Sequence, residues 1–261
     1  EILVIGKQLC DSNGFVPYEA DENDIFSIIY TSGNTGTPKG VMLTHKNIIS
    51  QLRDINILIG LDNNEISLSL LPLAHIFERT VMSYYLSKGI SIYFVDDISN
   101  VGNLLKIVKP TIMTAVPRLL EKIFNKIKTQ ISQKPFLSRI IASFAFSYAL
   151  SKNIDRSSFL FEIYDKLVYS KFREIFGSRL NKLVSGGAPL SKEIAQFFVN
   201  IGVPIYQGYG LTEFSPVIST NYPSENKIGS CGKVIPSARI KIAENKELLV
   251  KGPSLMKGYL N

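Results

Sequence analysis

The sequence has 261 residues, of which 45% are hydrophobic and 20% charged, a balance that suits a globular protein with a sizeable core. Its net charge of +7 rests on 21 Lys and 8 Arg against 22 acidic residues, and this preference for Lys argues against a protein that reads nucleic-acid bases. No apolar run reaches the ~18 residues of a transmembrane helix, no signal peptide is visible, and Cys10 and Cys231 form no CxxC pair. We therefore expect a cytoplasmic protein without a disulfide framework.

Predicted strands and helices alternate in the first half of the chain. After a turn-rich opening, residues 25–30 (IFSIIY) predict a short buried strand and residues 41–44 (VMLT) a returning strand, with a Gly-rich loop between them. Thr44 is placed to cap a helix from His45 to about Ile59, because apolar residues recur there at helical spacing. Further strands are predicted at 66–73, 90–95 and 111–116, and further helices at 76–88 and from Pro117. This alternation predicts an α/β fold with a largely parallel sheet flanked by helices.

Residues 117–176 interrupt the alternation with three consecutive helical segments. The first carries an apolar stripe and several lysines, which is typical either of an outer helix packed on its sheet or of a helix at a membrane surface. The stripe consists of Leu120, Ile123, Ile127 and Ile131. The second segment, residues 136–150, is apolar almost all round but too short to span a bilayer, so it should be buried against the sheet, a partner or lipid. Peripheral contact with the inner membrane face therefore stays open.

The second half returns to strands and helices and then becomes rich in short strands. The predicted divisions are a connecting segment at 1–24, an α/β subdomain at 25–226 with the helical insert, and the start of a β-rich subdomain at 227–261. The opening without methionine and the stop after an apolar run predict a fragment of a longer protein. Three Gly-rich loops, at 31–40, 186–190 and 208–213, follow predicted strands, and we expect them to converge at the carboxyl edge of the sheet.

The first of these loops, YTSGNTGTPKG at residues 30–40, combines glycines, hydroxyl groups and a lysine. It fails the pattern G-x-x-x-x-G-K-[ST] twice, because counting from Gly33 puts Pro38 at the second glycine and Gly40 at the Ser/Thr position. Its backbone N–H groups, its hydroxyls and Lys39 could still hold a polyphosphate. Composition alone leaves a flexible surface loop as the alternative.

Together with later motifs, this loop resembles the phosphate loop of the adenylate-forming superfamily, which includes acyl-CoA synthetases, firefly luciferase and the adenylation domains of peptide synthetases. The later motifs stand in that family's order: LPLAHIFER at 71–79, GGAPLS at 186–191 and QGYGLTE at 207–213. A fifth segment, ELLVKGPSLMKGY at 247–259, is similar to the start of the family's barrel-like subdomain. The form of these motifs and the helical insert most resemble a central fragment of the N-terminal domain of long-chain fatty acid–CoA ligases.

The resemblance implies an enzyme that joins a fatty acid to ATP, releases pyrophosphate from an acyl-adenylate and then forms a thioester with coenzyme A. It implies ATP and Mg²⁺ as ligands and coenzyme A as co-substrate. Such chemistry needs no protein nucleophile, so positioning and charge neutralisation should carry it. By the same resemblance, the family's hinge and the domain that supplies a catalytic lysine lie downstream of Asn261. The chain alone is therefore expected to be inactive.

The resemblance also implies the roles of individual residues. Phosphate contacts are implied for Thr31, Ser32, Gly33, Asn34, Thr35, Gly36, Thr37 and Lys39, and Asn34 departs from the family's usual Ser or Thr. Nucleotide contacts are implied for Gly186, Gly187, Ala188, Pro189, Gln207, Gly208, Tyr209, Gly210 and Thr212. Catalytic roles are implied for Lys39, Thr212 and Glu213, with Glu213 as the Mg²⁺ ligand, and substrate binding is implied for His75 and Phe77. On local grounds, a solvated carboxylate and an ordinary strand-to-helix turn remain the alternatives for Glu213 and for 186–189.

Three other hypotheses stay open beside this one. The protein could be an adenylate-forming ligase for another carboxylic acid, a non-catalytic nucleotide- or acyl-binding module, or mainly a membrane-surface protein. The retained Thr35, Lys39, Thr212 and Glu213 argue against a binding-only module, which has little need of a Mg²⁺ carboxylate. Acyl chain length has no local spacing signature in the sequence.

Overall fold

The computed structural model describes residues 2–13, 16, 18–31, 37–152 and 154–260. Its helices are α1 (Ile2–Asn13), α2 (His45–Leu58), α3 (Ile76–Ser87), α4 (Val101–Val108), α5 (Pro117–Ser132), α6 (Phe136–Ala149), α7 (Phe159–Tyr164), α8 (Ser170–Arg173) and α9 (Lys192–Asn200). A π-helical turn (Asp165–Tyr169) joins α7 to α8, and 3-10 turns lie at Ile98–Asn100, Glu174–Phe176 and Thr212–Phe214. Its strands are β1 (Ile25–Thr31), β2 (Lys39–Thr44), β3 (Ile66–Ser69), β4 (Ser91–Phe94), β5 (Ile112–Ala115), β6 (Lys182–Ser185), β7 (Ile205–Gly210), β8 (Val217–Thr220), β9 (Lys233–Val234), β10 (Arg239–Ile242), β11 (Leu248–Lys251) and β12 (Gly258–Leu260).

Seven strands form the main sheet, in the order β4-β3-β5-β6-β7-β8-β9. The strands from β4 to β7 pair in parallel, whereas β8 and β9 are added antiparallel at one edge. All four residues of β5 are buried, as expected for a parallel strand covered by helices. The predicted fold class, a largely parallel sheet flanked by helices, is confirmed.

The Gly-rich loop of residues 31–40 follows β1, which is not a strand of the parallel sheet. The expectation that this loop lies at the carboxyl edge of that sheet is therefore wrong. The loop joins β1 to β2, which pair antiparallel with Tyr30 opposite Gly40, and β12 pairs antiparallel with the other side of β2. So short a connection closes a hairpin, because parallel neighbours need a crossover of a dozen or more residues. Strands β10 and β11 form a second, separate hairpin.

Helix α2 begins where the sequence predicts. The Thr44 hydroxyl accepts a hydrogen bond from the backbone N–H of Asn47, and the Asn47 side chain accepts one from the backbone N–H of Thr44, which forms a complete capping box. The Asn47 amide also donates to the carbonyls of Pro253 and Leu255, over 2.7 and 2.8 Å. The start of α2 therefore holds the segment that leads into β12.

The apolar stripe of α5 is part of the core. Leu120 and Ile127 are fully buried, and Phe124 packs on Phe146 of α6 and on Phe197 of α9, with ring centroids 5.3 and 5.0 Å apart. Of the two interpretations of this helix, packing inside the domain is therefore the one that the structure supports. The lysines of α5 lie on its exposed face.

The first helix, the membrane-crossing potential of the helices and the two cysteines complete the description of the fold. Residues Ile2–Asn13 form helix α1, so the turn-rich stretch that begins at Cys10 is helical in its first four residues. None of the helices in the described part of the chain has the length and apolar character needed to cross a membrane. Cys10 and Cys231 are both exposed and are not joined in a disulfide.

Candidate functional site

The carboxyl ends of β5, β6 and β7 meet at one edge of the main sheet. Ala115 pairs with Ser185, and Ser185 with Gln207, so the loops that follow β6 and β7 are neighbours. Ligands of open parallel sheets bind at this edge. A cavity of about 870 Å³ lies here, and residues of both loops, of the turn before α3 and of helices α4 and α5 line it.

The GGAPLS and LPLAHIFER motifs meet in this cavity. Gly186 is buried beside the ring of Phe77, and a Cβ added to Gly186 would lie 3.3 Å from two ring carbons. Gly187 has a φ of +82°, a backbone conformation that residues other than glycine rarely adopt. His75, the exposed residue just before α3, also lines the cavity. Both motifs therefore present backbone and ring surface to the same space.

The QGYGLTE motif enters the cavity from the neighbouring strand. Gly208, Tyr209, Gly210 and Thr212 line the cavity, and Tyr209 is 41% exposed. A Cβ on Gly210 would lie 1.9 Å from the carbonyl oxygen of Pro216, so only glycine fits there. The carbonyl of Pro216 accepts a hydrogen bond from the backbone N–H of Leu211. This hydrogen bond holds the turn that carries Thr212. The predicted nucleotide-binding residues that do not line the cavity are Ala188, Pro189 and Gln207.

A second group of side chains connects the β1–β2 hairpin to this motif. The Tyr259 hydroxyl donates a hydrogen bond of 2.9 Å to Oε1 of Glu213, and Nζ of Lys39 lies 5.2 Å from the centroid of the Tyr259 ring. The hydrogen bond to the carboxylate raises the pKa of the Tyr259 hydroxyl. Lys39 and Glu213, which come from separate motifs, are thus brought to one aromatic side chain.

Tyr259 is a site residue that the sequence motifs alone do not predict. The pairing of β12 with β2 places Tyr259 opposite Val41, close to the start of β2. The signal was present in the fifth motif, where an aromatic residue follows Gly258 in a short strand. Only the long-range pairing of β12 shows which loop that strand reaches.

The middle of the predicted phosphate loop, Ser32 to Gly36, lies outside the described residues. On its flanks, Thr31 pairs with Lys39 at the open end of the hairpin, and both Thr37 and Lys39 are exposed. The ends of the loop are therefore anchored by strand pairing. Of its predicted phosphate-binding side chains, the charged one is next to the tyrosine that contacts Glu213.

The side chains near Glu213 suit a magnesium ion bound to a nucleotide better than an ion held by protein ligands alone. Within the ranges that the structure describes, no group of three or more His, Cys, Asp or Glu side chains could hold a metal ion together. Mg²⁺ commonly takes one or two carboxylates and fills its remaining positions with phosphate oxygens and water. The half-buried carboxylate of Glu213 fits that donor set.

Glu78 is a buried carboxylate that the sequence analysis did not select. The hydroxyls of Ser69 and Thr114 donate hydrogen bonds to its two oxygens, each over 2.6 Å. Burial raises the pKa of Glu78 above its ordinary value of 4.5, and the two hydrogen bonds oppose part of that rise. Glu78 therefore joins α3 to β3 and β5, and it is itself part of the cavity lining.

The cavity lining also includes side chains of a different character. Aliphatic side chains of α4 and α5 line it, among them Leu105, Leu119 and Ile123. Three cations of α5 lie along the same lining: Arg118, Lys122 and Lys126. The cavity lining thus combines Gly-rich loops, aliphatic side chains and positively charged side chains.

Comparison with known sequences points to one family. The family described as AMP-binding enzyme matches residues 5–260. The long-chain-fatty-acid–CoA ligase FadD15 of Mycobacterium bovis is 33% identical over 244 residues, which cover 90% of this chain and 41% of the ligase. The long-chain-fatty-acid–CoA ligase ACSBG2 of Xenopus laevis is 32% identical over 282 residues, which cover 100% of this chain and 38% of that protein. The chain therefore spans about two fifths of the length of these relatives.

Comparison with solved structures gives the same fold. The inhibitor-bound N-terminal domain of FACL13 from Mycobacterium tuberculosis matches 98% of this chain and 57% of its own, with a TM-score of 0.69 and 20% identity. O-succinylbenzoate coenzyme A synthetase (MenE) from Bacillus subtilis, in complex with ATP and a magnesium ion, matches 94% of this chain and 45% of its own, with a TM-score of 0.67 and 22% identity.

Proposed function

The chain belongs to the AMP-binding enzyme family, and from that premise we propose that the full-length protein activates a long-chain fatty acid with ATP. In the first step a carboxylate oxygen attacks the α-phosphorus of ATP, which gives an acyl-adenylate and releases pyrophosphate. In the second step the thiolate of coenzyme A attacks the acyl carbonyl carbon, and AMP leaves. The names of FadD15 and ACSBG2 support the choice of a long-chain fatty acid over other carboxylic acids.

One observation of the molecule carries the proposal. A single cavity of about 870 Å³ has the Gly-rich loops and Thr212 in one part of its lining and the aliphatic side chains of α4 and α5 in another. A substrate that joins a phosphate to a long hydrocarbon needs this combination of surfaces. A nucleotide alone would leave the apolar part of the cavity without a function.

The proposed roles of the side chains follow from the charges of the reactants. Both the carboxylate and the triphosphate are anionic, so positive charge and N–H donors must offset their repulsion. Lys39 supplies a cation at the hairpin end, and Thr212 supplies a hydroxyl at the cavity wall. Glu213 would hold Mg²⁺, which neutralises phosphate charge when it is bound.

The remaining parts of the proposal concern domains, ligands and location. We propose that residues 25–226 form the α/β subdomain, that 227–261 begin a β-rich subdomain, and that coenzyme A is the second substrate. We also propose a cytoplasmic location with peripheral contact at the inner membrane face. The separate hairpin of β10 and β11 supports the start of a β-rich unit.

A screen of carboxylic acids tests the substrate class. We expect pyrophosphate release by the full-length protein to rise with acyl chain length, because each added CH₂ contributes about 0.8 kcal/mol of apolar burial until the cavity is filled. Saturated acids of graded length, with ATP and Mg²⁺, would be compared with aromatic acids. A preference for short or aromatic acids would overturn the proposed substrate class.

A further inference from the structure

Helix α6 has two opposite apolar faces, and only one of them is used by the core. Ala142, Ala145, Phe146 and Ala149 are buried against the neighbouring helices. The opposite face, here called the α6 outer face, consists of Phe136, Leu137, Ile140, Ile141 and Phe144, which are 66%, 74%, 37%, 43% and 65% exposed. At helical spacing these five side chains form one contiguous surface. So much exposed apolar area on one helix is typical of an interaction surface.

We propose that the α6 outer face inserts into the headgroup region of a membrane rich in anionic lipid. Between Lys134 and Lys152, the stretch that contains α6, the sequence has three basic residues and no acidic one. Two of these basic residues, Lys134 and Arg139, belong to or directly precede α6, and the Arg139 guanidinium lies 5.8 Å from the ring centroid of Phe136. Apolar side chains next to cations are the combination that binds an anionic bilayer surface.

The position of α5 connects this surface to the cavity. One side of α5 lines the cavity through Arg118, Leu119 and Lys122. Its other side packs on α6, where Phe124 contacts Phe146. The buried face of α6 and the cavity lining therefore lie against the same helix, α5. A membrane bound at the α6 outer face is separated from the cavity lining by α6 and α5, and the assignment of this surface does not depend on the chemistry proposed above.

Flotation of the full-length protein with lipid vesicles tests the proposal. Vesicles would contain either phosphatidylcholine alone or phosphatidylcholine mixed with phosphatidylglycerol. We expect binding to the anionic vesicles, and the double variant Ile140→Gln/Phe144→Gln should lower the partition coefficient about tenfold or more, because two exposed apolar groups no longer enter the bilayer. Lys134→Gln/Arg139→Gln should weaken binding only to the anionic vesicles.

A matched control variant shows whether the loss of vesicle binding is specific to the α6 outer face. Ile57→Gln/Ile107→Gln removes two apolar groups that are 68% and 76% exposed on α2 and α4, and it should leave flotation unchanged. Equal flotation of the α6 variant and the native protein would overturn the proposal. So would loss of a dimer in sedimentation without loss of flotation, because the α6 outer face would then bind a second copy.

A second readout separates this proposal from the function. Pyrophosphate release with acid supplied in solution should be retained by the α6 variant, since its substitutions lie outside the proposed site. Lost flotation with retained release supports the membrane surface. Absence of acid-dependent release in the native protein would contradict the function, whereas the flotation result would still test the surface.

Discussion

Tyr259 is the residue that connects the two charged side chains of the candidate site. It donates to Glu213 and presents its ring to Lys39. A residue that orients a metal-binding carboxylate typically affects metal affinity 10- to 100-fold. We therefore infer that Tyr259 is a positioning residue for Glu213.

Tyr259→Phe keeps the ring and removes only the hydroxyl. We expect the Mg²⁺ concentration for half-maximal pyrophosphate exchange to rise about tenfold, because the carboxylate of Glu213 loses its fixed orientation. Thermal stability should barely change, since Tyr259 is 40% exposed. A merely structural role would leave the Mg²⁺ dependence as it is in the native protein.

Glu78 gives a prediction about pH. Because burial raises its pKa, the folded state holds the proton more tightly than the unfolded state, and the contribution of Glu78 to stability is lost as pH rises from 4.5 through the raised value. In Glu78→Gln this loss should disappear, so the free energy of unfolding should fall less between pH 4.5 and 7 than in the native protein. Chemical denaturation across that pH range measures the difference.

A comparison with alanine separates the charge from the hydrogen bonds. Glutamine can still bond both Ser69 and Thr114, whereas Glu78→Ala leaves two buried hydroxyls without their partner and should destabilise by about 1–3 kcal/mol. If the pH profiles of the native protein and Glu78→Gln run parallel, Glu78 does not titrate in the folded state as described.

At the level of elements, local patterns predict what local forces determine. The cap at Thr44 and the stripe of α5 were predicted from spacing alone, because a capping box and a helical face are set by residues three or four apart. The spacing predicts the returning strand β2 but not that the loop between β1 and β2 lies outside the parallel sheet, because strand partners are chosen by pairing across the whole chain.

Helix α4 offers a prediction about substrate size. Gly102 lines the cavity, and a Cβ added there would meet no atom within 4 Å. Gly102→Phe should therefore project a ring along the apolar part of the cavity without displacing the backbone. We expect the acid preference to move toward shorter chains, as measured by pyrophosphate release across a length series.

Two control variants accompany this substitution. Gly102→Ala should stabilise the helix by up to ~1 kcal/mol and leave the preference unchanged. Ile107→Phe adds a ring at a position of α4 that is 76% exposed and does not line the cavity. An unchanged length profile in Gly102→Phe would show that α4 does not limit the acyl chain.

At the scale of the whole molecule, α2 holds the parts of the site together through buried polar side chains. Gln51 donates to the carbonyls of Phe214 and Val217, over 3.0 and 2.9 Å, next to Glu213. Asn47 and Ser50 bond the segment Pro253–Leu255, which leads to Tyr259. This polar face could not be predicted from the sequence, because its partners lie more than 150 residues away and a polar helix face ordinarily meets water.

The motifs predict residues that line one cavity, but they do not predict the contacts between side chains of different motifs. His75, Phe77, Gly186 and Tyr209 line one cavity, although they were selected from three separate motifs. The contact of Tyr259 with both Lys39 and Glu213 depends on the position of β12, which the sequence alone does not specify. The resemblance selects the residues of the motifs, and the pairing of distant strands determines which of these residues touch.

The most direct test of the account is fatty-acid-dependent exchange of pyrophosphate into ATP by the full-length protein. If Lys39 and Glu213 act on one bound nucleotide, Lys39→Ala and Glu213→Ala should each lower exchange by about 10²-fold or more, the size expected for removing a group that stabilises transition-state charge. Lys241→Ala, on exposed β10, should exchange like the native protein. Native-like exchange in both site variants would contradict the assignment of the site.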